Sequence, residues 1–288
     1  MITLSALAVI GTLSAVLVGY LKLVNDDAQD TTAMIQADIY YADVTAIFSR
    51  FKKKKTLFTT LYAFPISMKS PDGKFAMSLS CKALSKGANI NWLGLQNDTG
   101  ENELNNFAQS VFEMLVQEHN IEDAARLLEM LKEEIGGNNK YVKKEYSRLR
   151  QKNGIIAYKQ FAQVISRYQL EVDDMQAGKV PWKKYFTFSK DATRIDAEYS
   201  SAELIALLFD LDVASVTSWS SDPDRISLRN FVTENGGNYA SRKKIIAGEK
   251  FLEESECTVG YSSRKKQYHF RFEYIQGEAK HFEFFGAR

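Results

Sequence analysis

No charged side chain occurs between Met1 and Lys22, and no proline before Pro65. The first absence lets the stretch Met1 to Asn25 lie in a bilayer without desolvating an ion. The second leaves a helix free to continue unbroken beyond it. An apolar run of this length, at about 1.5 Å per residue, spans a hydrocarbon core of about 30 Å. A removable secretory signal is the competing reading, because a signal also opens on an apolar run. The run is longer than the apolar part of a signal, however, and no small-x-small cleavage site with a break follows it. Leu21, Leu23 and Val24 carry the pattern on toward Asp26. A retained transmembrane helix over residues 1–24 is therefore expected. A basic leader ahead of Met1 is also missing, which fits a chain already processed or one that starts late.

Charge of one sign is not in excess: 37 Lys and Arg stand against 36 Asp and Glu. That balance excludes a general nucleic-acid surface or a polybasic lipid clamp. The one basic run, Lys52 to Lys55, reads as a solvated helix end whose cations favour the C-terminal dipole, rather than as a phosphate patch. Cysteine is scarce, with Cys81 and Cys257 far apart in strand-like sequence, so no zinc spacing exists. In an oxidising periplasm the pair could bond across a sheet if their Cα atoms came within about 7 Å. Two separate buried thiols are the other reading, and the preferred one.

The histidines number three. His119 sits at a helix end, and His269 and His281 alternate with aromatics on the solvent side of predicted strands, so structural roles are expected. No G-x-S-x-G, glycine-rich phosphate loop or H-E-x-x-H occurs. Neither an enzyme nor a cofactor is expected. Asp173, Asp174, Asp191, Asp196 and Glu198 match no EF-hand spacing and read as turn carboxylates and helix caps, so no metal is expected.

What is present begins with a helical stripe. Ile35, Ile39, Ala42 and Ala46 recur at i, i+4, i+7 and i+11, with Ile47 and Phe51 beside them and Asp26, Asp27, Asp30, Asp38 and Asp43 as polar interruptions. One continuous helix is expected, its outer part over 25–55 laying this stripe against a soluble domain. A signal anchor followed by a separate amphipathic helix is the alternative. From Thr56 the period changes, and Ser70-Pro71-Asp72-Gly73 predicts a hairpin turn within Thr56 to Leu84. Asn89 to Leu93 then leads into a polar exit, Gln96 to Asn102.

Helical spacing returns with Leu104, Phe107, Val111, Met114 and Leu115, then Ile121 to Ile135, stopped by Gly136-Gly137-Asn138-Asn139. A charged stretch, Tyr141 to Gln151, and a helix around Ile155 to Leu170 follow. A further helix starts after Tyr199, where Ser200 or Ser201 can cap it. Beyond Asp222-Pro223-Asp224 strand signals return. Tyr268, Phe270, Phe272 and Tyr274 alternate with polar residues, and Gln276-Gly277-Glu278 is a turn before Phe282 and Phe284. Strands on both sides of a helical block predict an α+β fold with a large helical domain, 96–221, inserted into an antiparallel sheet built from 56–95 and 222–288.

This order of segments resembles the type IV pilin superfamily. The inserted helices narrow the resemblance to the K-type minor pseudopilin of type II secretion and related minor pilins. The stretches that carry it are Asn89-Ile90-Asn91-Trp92-Leu93, Phe107 to Ile135, Trp182-x-x-Tyr185-Phe186, and Arg194 to Ser200. The resemblance covers most of the chain and implies a pilin-like sheet. Met1 stands in the place of the residue that the prepilin peptidase exposes and methylates. Ser5 replaces the position-five glutamate of other members, which fits the K type.

In the family that glutamate neutralises the terminal amine of the subunit added before. No carboxylate occurs from Met1 to Val24, so this chain could neutralise no predecessor, a defect harmless only at a filament tip. The function so implied is a nonenzymatic tip subunit that initiates assembly and supports protein secretion. Its partners would be other minor pseudopilins or pilins in a tip complex, the major pseudopilin, the prepilin peptidase, inner-membrane lipid and secreted substrates, with no nucleic acid bound directly. It would sit in the bacterial inner membrane by a single pass, its soluble part in the periplasm. A minor pilin of a DNA-uptake or adhesive pilus, or a membrane-anchored periplasmic binding protein, is the alternative, with a membrane-bound hydrolase third.

Overall fold

The structure, a computed structural model, describes residues 2–70, 76–95, 103–136, 154–189, 191–222, 224–248, 251–263 and 266–286; for residues 2–14 the backbone alone is described. The chain opens with helices α1 (Ile2–Arg50) and α2 (Lys54–Ala63) and strands β1 (Ile66–Lys69), β2 (Ala76–Ala83) and β3 (Ala88–Asn89). Helices α3 (Glu103–Glu118), α4 (Ala124–Ile135), α5 (Tyr158–Val172) and α6 (Trp182–Tyr185) follow, then β4 (Phe186–Thr187) and helices α7 (Ala202–Phe209), α8 (Val213–Ser221) and α9 (Leu228–Glu234). Strands β5 (Glu254–Ser263), β6 (Lys266–Ile275) and β7 (Glu278–Phe285) close the order. These form two compact units: Met1–Lys82 with Ser255–Arg288, and Ala83–Glu254.

In the first unit α1 is a single helix of 49 residues. Its buried face is Ala33, Ala37, Val44 and Phe48, with Tyr40 and Tyr41 half-buried beside them. The stripe expected to face the soluble domain is instead exposed: Ile35 is 57% and Ile39 54% accessible, and Ala42, Ala46, Ile47 and Phe51 are exposed with them. The physical reason lies in the surface it meets. The sheet presents tyrosine and phenylalanine rings, and the helix face that meets them lies opposite the expected stripe: Ala33 and Ala37 allow close approach, Val44 is buried beside them, and Tyr40, Tyr41 and Phe48 pack ring against ring.

The helix stops at Arg50, where the Lys54 ammonium donates to the Phe48 carbonyl near the C-terminus of α1. The expected continuation to residue 55, and strand from Thr56, give way to α2. Phe58 and Leu61, one turn apart, are buried, and the Phe58 ring meets Phe48 at 5.1 Å and Tyr274 at 5.3 Å. Packing of these two side chains overrides the β-branched and aromatic composition that suggested strand.

The sheet order is β1-β2-β5-β6-β7. Antiparallel β1 and β2 pair from Ile66↔Leu79 to Lys69↔Ala76; the Pro71-Asp72-Gly73 part of the expected turn lies outside the described residues. Between β2 and β5 the cross-strand contacts are Ser78 to Gly260, Cys81 to Cys257 and Lys82 to Glu256. Numbers fall on one strand as they rise on the other, so these strands are antiparallel too. Gln276 and Gly277, with φ of 50° and 87°, make the two-residue turn between β6 and β7, its positive φ at both positions matching the strands' twist.

The second unit has its own core, in which Ile90, Trp92 and Leu93 cluster with Phe107, Phe161 and Trp182. It begins earlier and ends later than the insertion expected over 96–221. At its start, buried Asn89 donates to the carbonyls of Ser189 at 2.8 Å and Ala192 at 2.7 Å and accepts from the Asn91 N–H, tying this passage into the helical unit. At its end, α9 lies in sequence expected to be strand. Ser227 caps it, and Leu228, Phe231 and Val232 are buried. Ser201 caps α7 through the Leu204 N–H, while Ser200 donates to the Lys86 carbonyl. Gly136 ends α4, and the rest of the expected stop and the charged stretch Tyr141 to Gln151 lie outside the described residues.

Candidate functional site

The feature of the first unit with most to say about function is the seat of α1 on the sheet. Along the helix, Asp26 pairs with Lys266 at 3.0 Å, Asp30 accepts from the Tyr268 hydroxyl at 2.9 Å, and the Tyr261 hydroxyl donates to the Ala33 carbonyl. Farther on, the Tyr41 ring lies 5.3 Å from Phe272 and 5.0 Å from Phe282, and Phe48 lies 5.2 Å from Tyr274. Helix and β6 numbers rise together, so α1 runs along β6 in the same sense. In the sequence Asp26 and Asp30 are polar interruptions of the helical stripe. Their spacing of one helical turn, opposite the strand alternation of Lys266 and Tyr268, was the available signal.

Burial holds the Tyr261 phenol far above its ordinary pKa, and the neighbouring Tyr268, Tyr40 and Asp38 add to the shift. Burial first, and then the bond to Asp30, raises Tyr268 in the same direction. A folded pKa above the unfolded value of about 10 means stability fully present below that pH and lost as pH rises toward the folded value. Urea midpoints should therefore be flat from neutrality to about pH 9 and fall above about pH 10, less steeply in Tyr261→Phe. A midpoint that holds to pH 11 in the parent chain, or falls identically in the variant, would refute this account.

Of the expected site residues, Met1 lies outside the described residues, and Ser5 is placed only by the backbone of α1. Among the described residues no helix is long and apolar enough to cross a membrane, most of the expected span 1–24 having no described side chains. Cys81 and Cys257 are bonded, their Cα atoms 4.1 Å apart, which corrects the preferred reading of two thiols. Adjacent strands place them opposite one another. His119 follows α3, the His269 ring stacks on Phe285 at 4.6 Å, and His281 Nε2 lies 4.0 Å from Glu273. Asp173 occupies a left-handed position after α5, while Asp174 accepts from the Gln176 and Glu122 N–H groups and the Tyr168 hydroxyl. Among the described residues no three His, Cys, Asp or Glu side chains gather as metal ligands.

A long helix lying along an antiparallel sheet, with a separate helical unit inserted between two neighbouring strands, defines an α+β fold. No protein-family profile matches the chain, and no curated protein does. Among solved structures its fold is similar to that of GspK in the crystal structure of the GspK-GspI-GspJ complex from the enterotoxigenic Escherichia coli type 2 secretion system. The likeness covers 90% of this chain and 97% of that one, with a TM-score of 0.53 at 11% identity.

Proposed function

We propose that the protein is a minor pseudopilin of the K type, a nonenzymatic subunit that enters a filament through its long helix. One observation carries the reading: α1 is committed on both sides. The face with Ala33, Ala37, Val44 and Phe48 is buried on the sheet, and the opposite face offers Ile35 and Ile39, flanked by Met34 and Ile47, to solvent at 49% accessibility or more. Apolar side chains at this density on one helix face mark an interaction surface rather than scattered exposure. The fold likeness to GspK, found in a complex with GspI and GspJ, supports partners of the same kind. The uncharged stretch before Lys22 supports an inner-membrane anchor, with the disulfide-bearing sheet in an oxidising periplasm.

The test is co-purification of the full chain from a host carrying a secretion pseudopilus. Small proteins with pilin-like N-termini should come down with it. Ile35→Asp with Ile39→Asp should reduce their recovery by about tenfold while leaving the unfolding free energy of the first unit, from urea titration, within about 0.5 kcal/mol, since both residues face solvent. Unchanged recovery would overturn the reading, and a single ligand protein in place of the pilin-like set would favour a solitary periplasmic receptor. The tip position rests on the absence of a carboxylate from Met1 to Val24. Gold label repeating along filament shafts would exclude it.

A further inference from the structure

In the second unit, three cations from separate segments line one cleft of about 590 Å³: Arg194, Arg229 of α9, and Lys243. Their backbones are held in place. Ile195, next to Arg194, donates its N–H to the Ile245 carbonyl at 2.8 Å and accepts from the Ala247 N–H at 2.9 Å. Arg242, next to Lys243, donates through Nε to the Leu208 carbonyl at 2.8 Å, and the Tyr239 ring stacks on Phe209 at 5.5 Å. No carboxylate lines the cleft among the described residues.

Neighbouring basic residues show what is unusual here. Arg225 donates to Ser220, Arg242 to Leu208, and Lys244 pairs with Glu103. Arg229 is also engaged within the fold. The side chains of Arg194 and Lys243, both exposed, make no hydrogen bond or ion pair among the described residues. In a chain whose net charge is only +1, two uncompensated cations sharing a cleft with a third constitute a local excess that an anion would relieve.

We infer that this cleft binds an acidic stretch of another polypeptide. Its volume lies within the range of sites that take ligands of several residues or a drug-sized molecule, and is far larger than one inorganic anion needs. The cations come from three segments of chain, an arrangement suited to successive carboxylates. Thr233 and Asn238, which also line the cleft, supply partners for a peptide backbone. The inference is independent of the filament role.

The probe is a fluorescein-labelled hexaglutamate peptide added to the full chain, read by fluorescence anisotropy. Saturable binding is expected, weakened about tenfold or more in Arg194→Gln with Lys243→Gln and weakened also by added salt. Two exposed lysines of the same unit, Lys132 and Lys159, provide a control of equal charge change. Lys132→Gln with Lys159→Gln should leave binding unchanged, and labelled hexaglutamine should not bind. Absence of hexaglutamate binding, equal weakening in both double variants, or hexaglutamine binding as tightly would each overturn the inference. Displacement of the peptide by equimolar inorganic phosphate would overturn it in favour of a small-anion site.

Discussion

Cys81→Ser with Cys257→Ser is expected to lower stability by about 5 kcal/mol when both units unfold together, and by only about 2 kcal/mol when the sheet opens around a helical unit that stays folded. The two values follow from one fact. The disulfide closes a loop with a sequence separation of 176, and closing so long a loop removes much freedom from the unfolded chain. The second unit, Ala83–Glu254, lies wholly within that loop. While it is folded, its own ends are held together, with the Leu84 N–H donating to the Glu254 carbonyl at 3.0 Å, and the loop left for the disulfide to close is short. Urea unfolding of the oxidised and reduced chain, with parallel proteolysis to report which unit has opened, separates the two cases. Identical midpoints with and without reductant would show that the bond contributes nothing.

Phe48→Ala should cost about 3–5 kcal/mol, because the ring is almost fully buried and the cavity it leaves cannot collapse among other rings. It lies 5.1 Å from Phe58, 5.2 Å from Tyr274 and 6.2 Å from Phe272, so one truncation removes contacts with α2 and with β6 at once. The adjacent Ile47, which is 54% exposed, gives the control: Ile47→Ala should stay within about 0.5 kcal/mol. With total stabilities commonly about 5–15 kcal/mol, the first substitution would bring the first unit close to melting at growth temperature. Thermal melts of both variants followed by near-ultraviolet circular dichroism decide it. A larger loss at Ile47 than at Phe48 would mean that the aliphatic stripe, and not the aromatic face, seats the helix.

That contrast also measures what could be read from the chain. Strand β6 was legible because Tyr268, Phe270, Phe272 and Tyr274 obey a period of two with polar residues between, and all four are buried. Helices α3 and α4 were legible through their i, i+3 and i+4 spacing, and the cap of α7 was narrowed to Ser200 or Ser201, of which Ser201 makes it. The buried face of α1 was not, because alanine and tyrosine carry little hydrophobic signal until the rings opposite them are known. The helix α2 was missed where tertiary packing of Phe58 and Leu61 outweighed composition. The cationic cleft was invisible, since Arg194, Arg229 and Lys243 belong to segments that only the fold brings together.

The two strands that carry the chain out to the helical unit and back are neighbours, bonded at Cys81 and Cys257. To the sheet, everything from Ala83 to Glu254 is therefore equivalent to a hairpin tip. Such a tip can be shortened, exchanged or rewritten by mutation without altering which strand lies beside which. Inheritance can then act on the two parts at different rates, the sheet answering to its helix and the insert to whatever it touches outside.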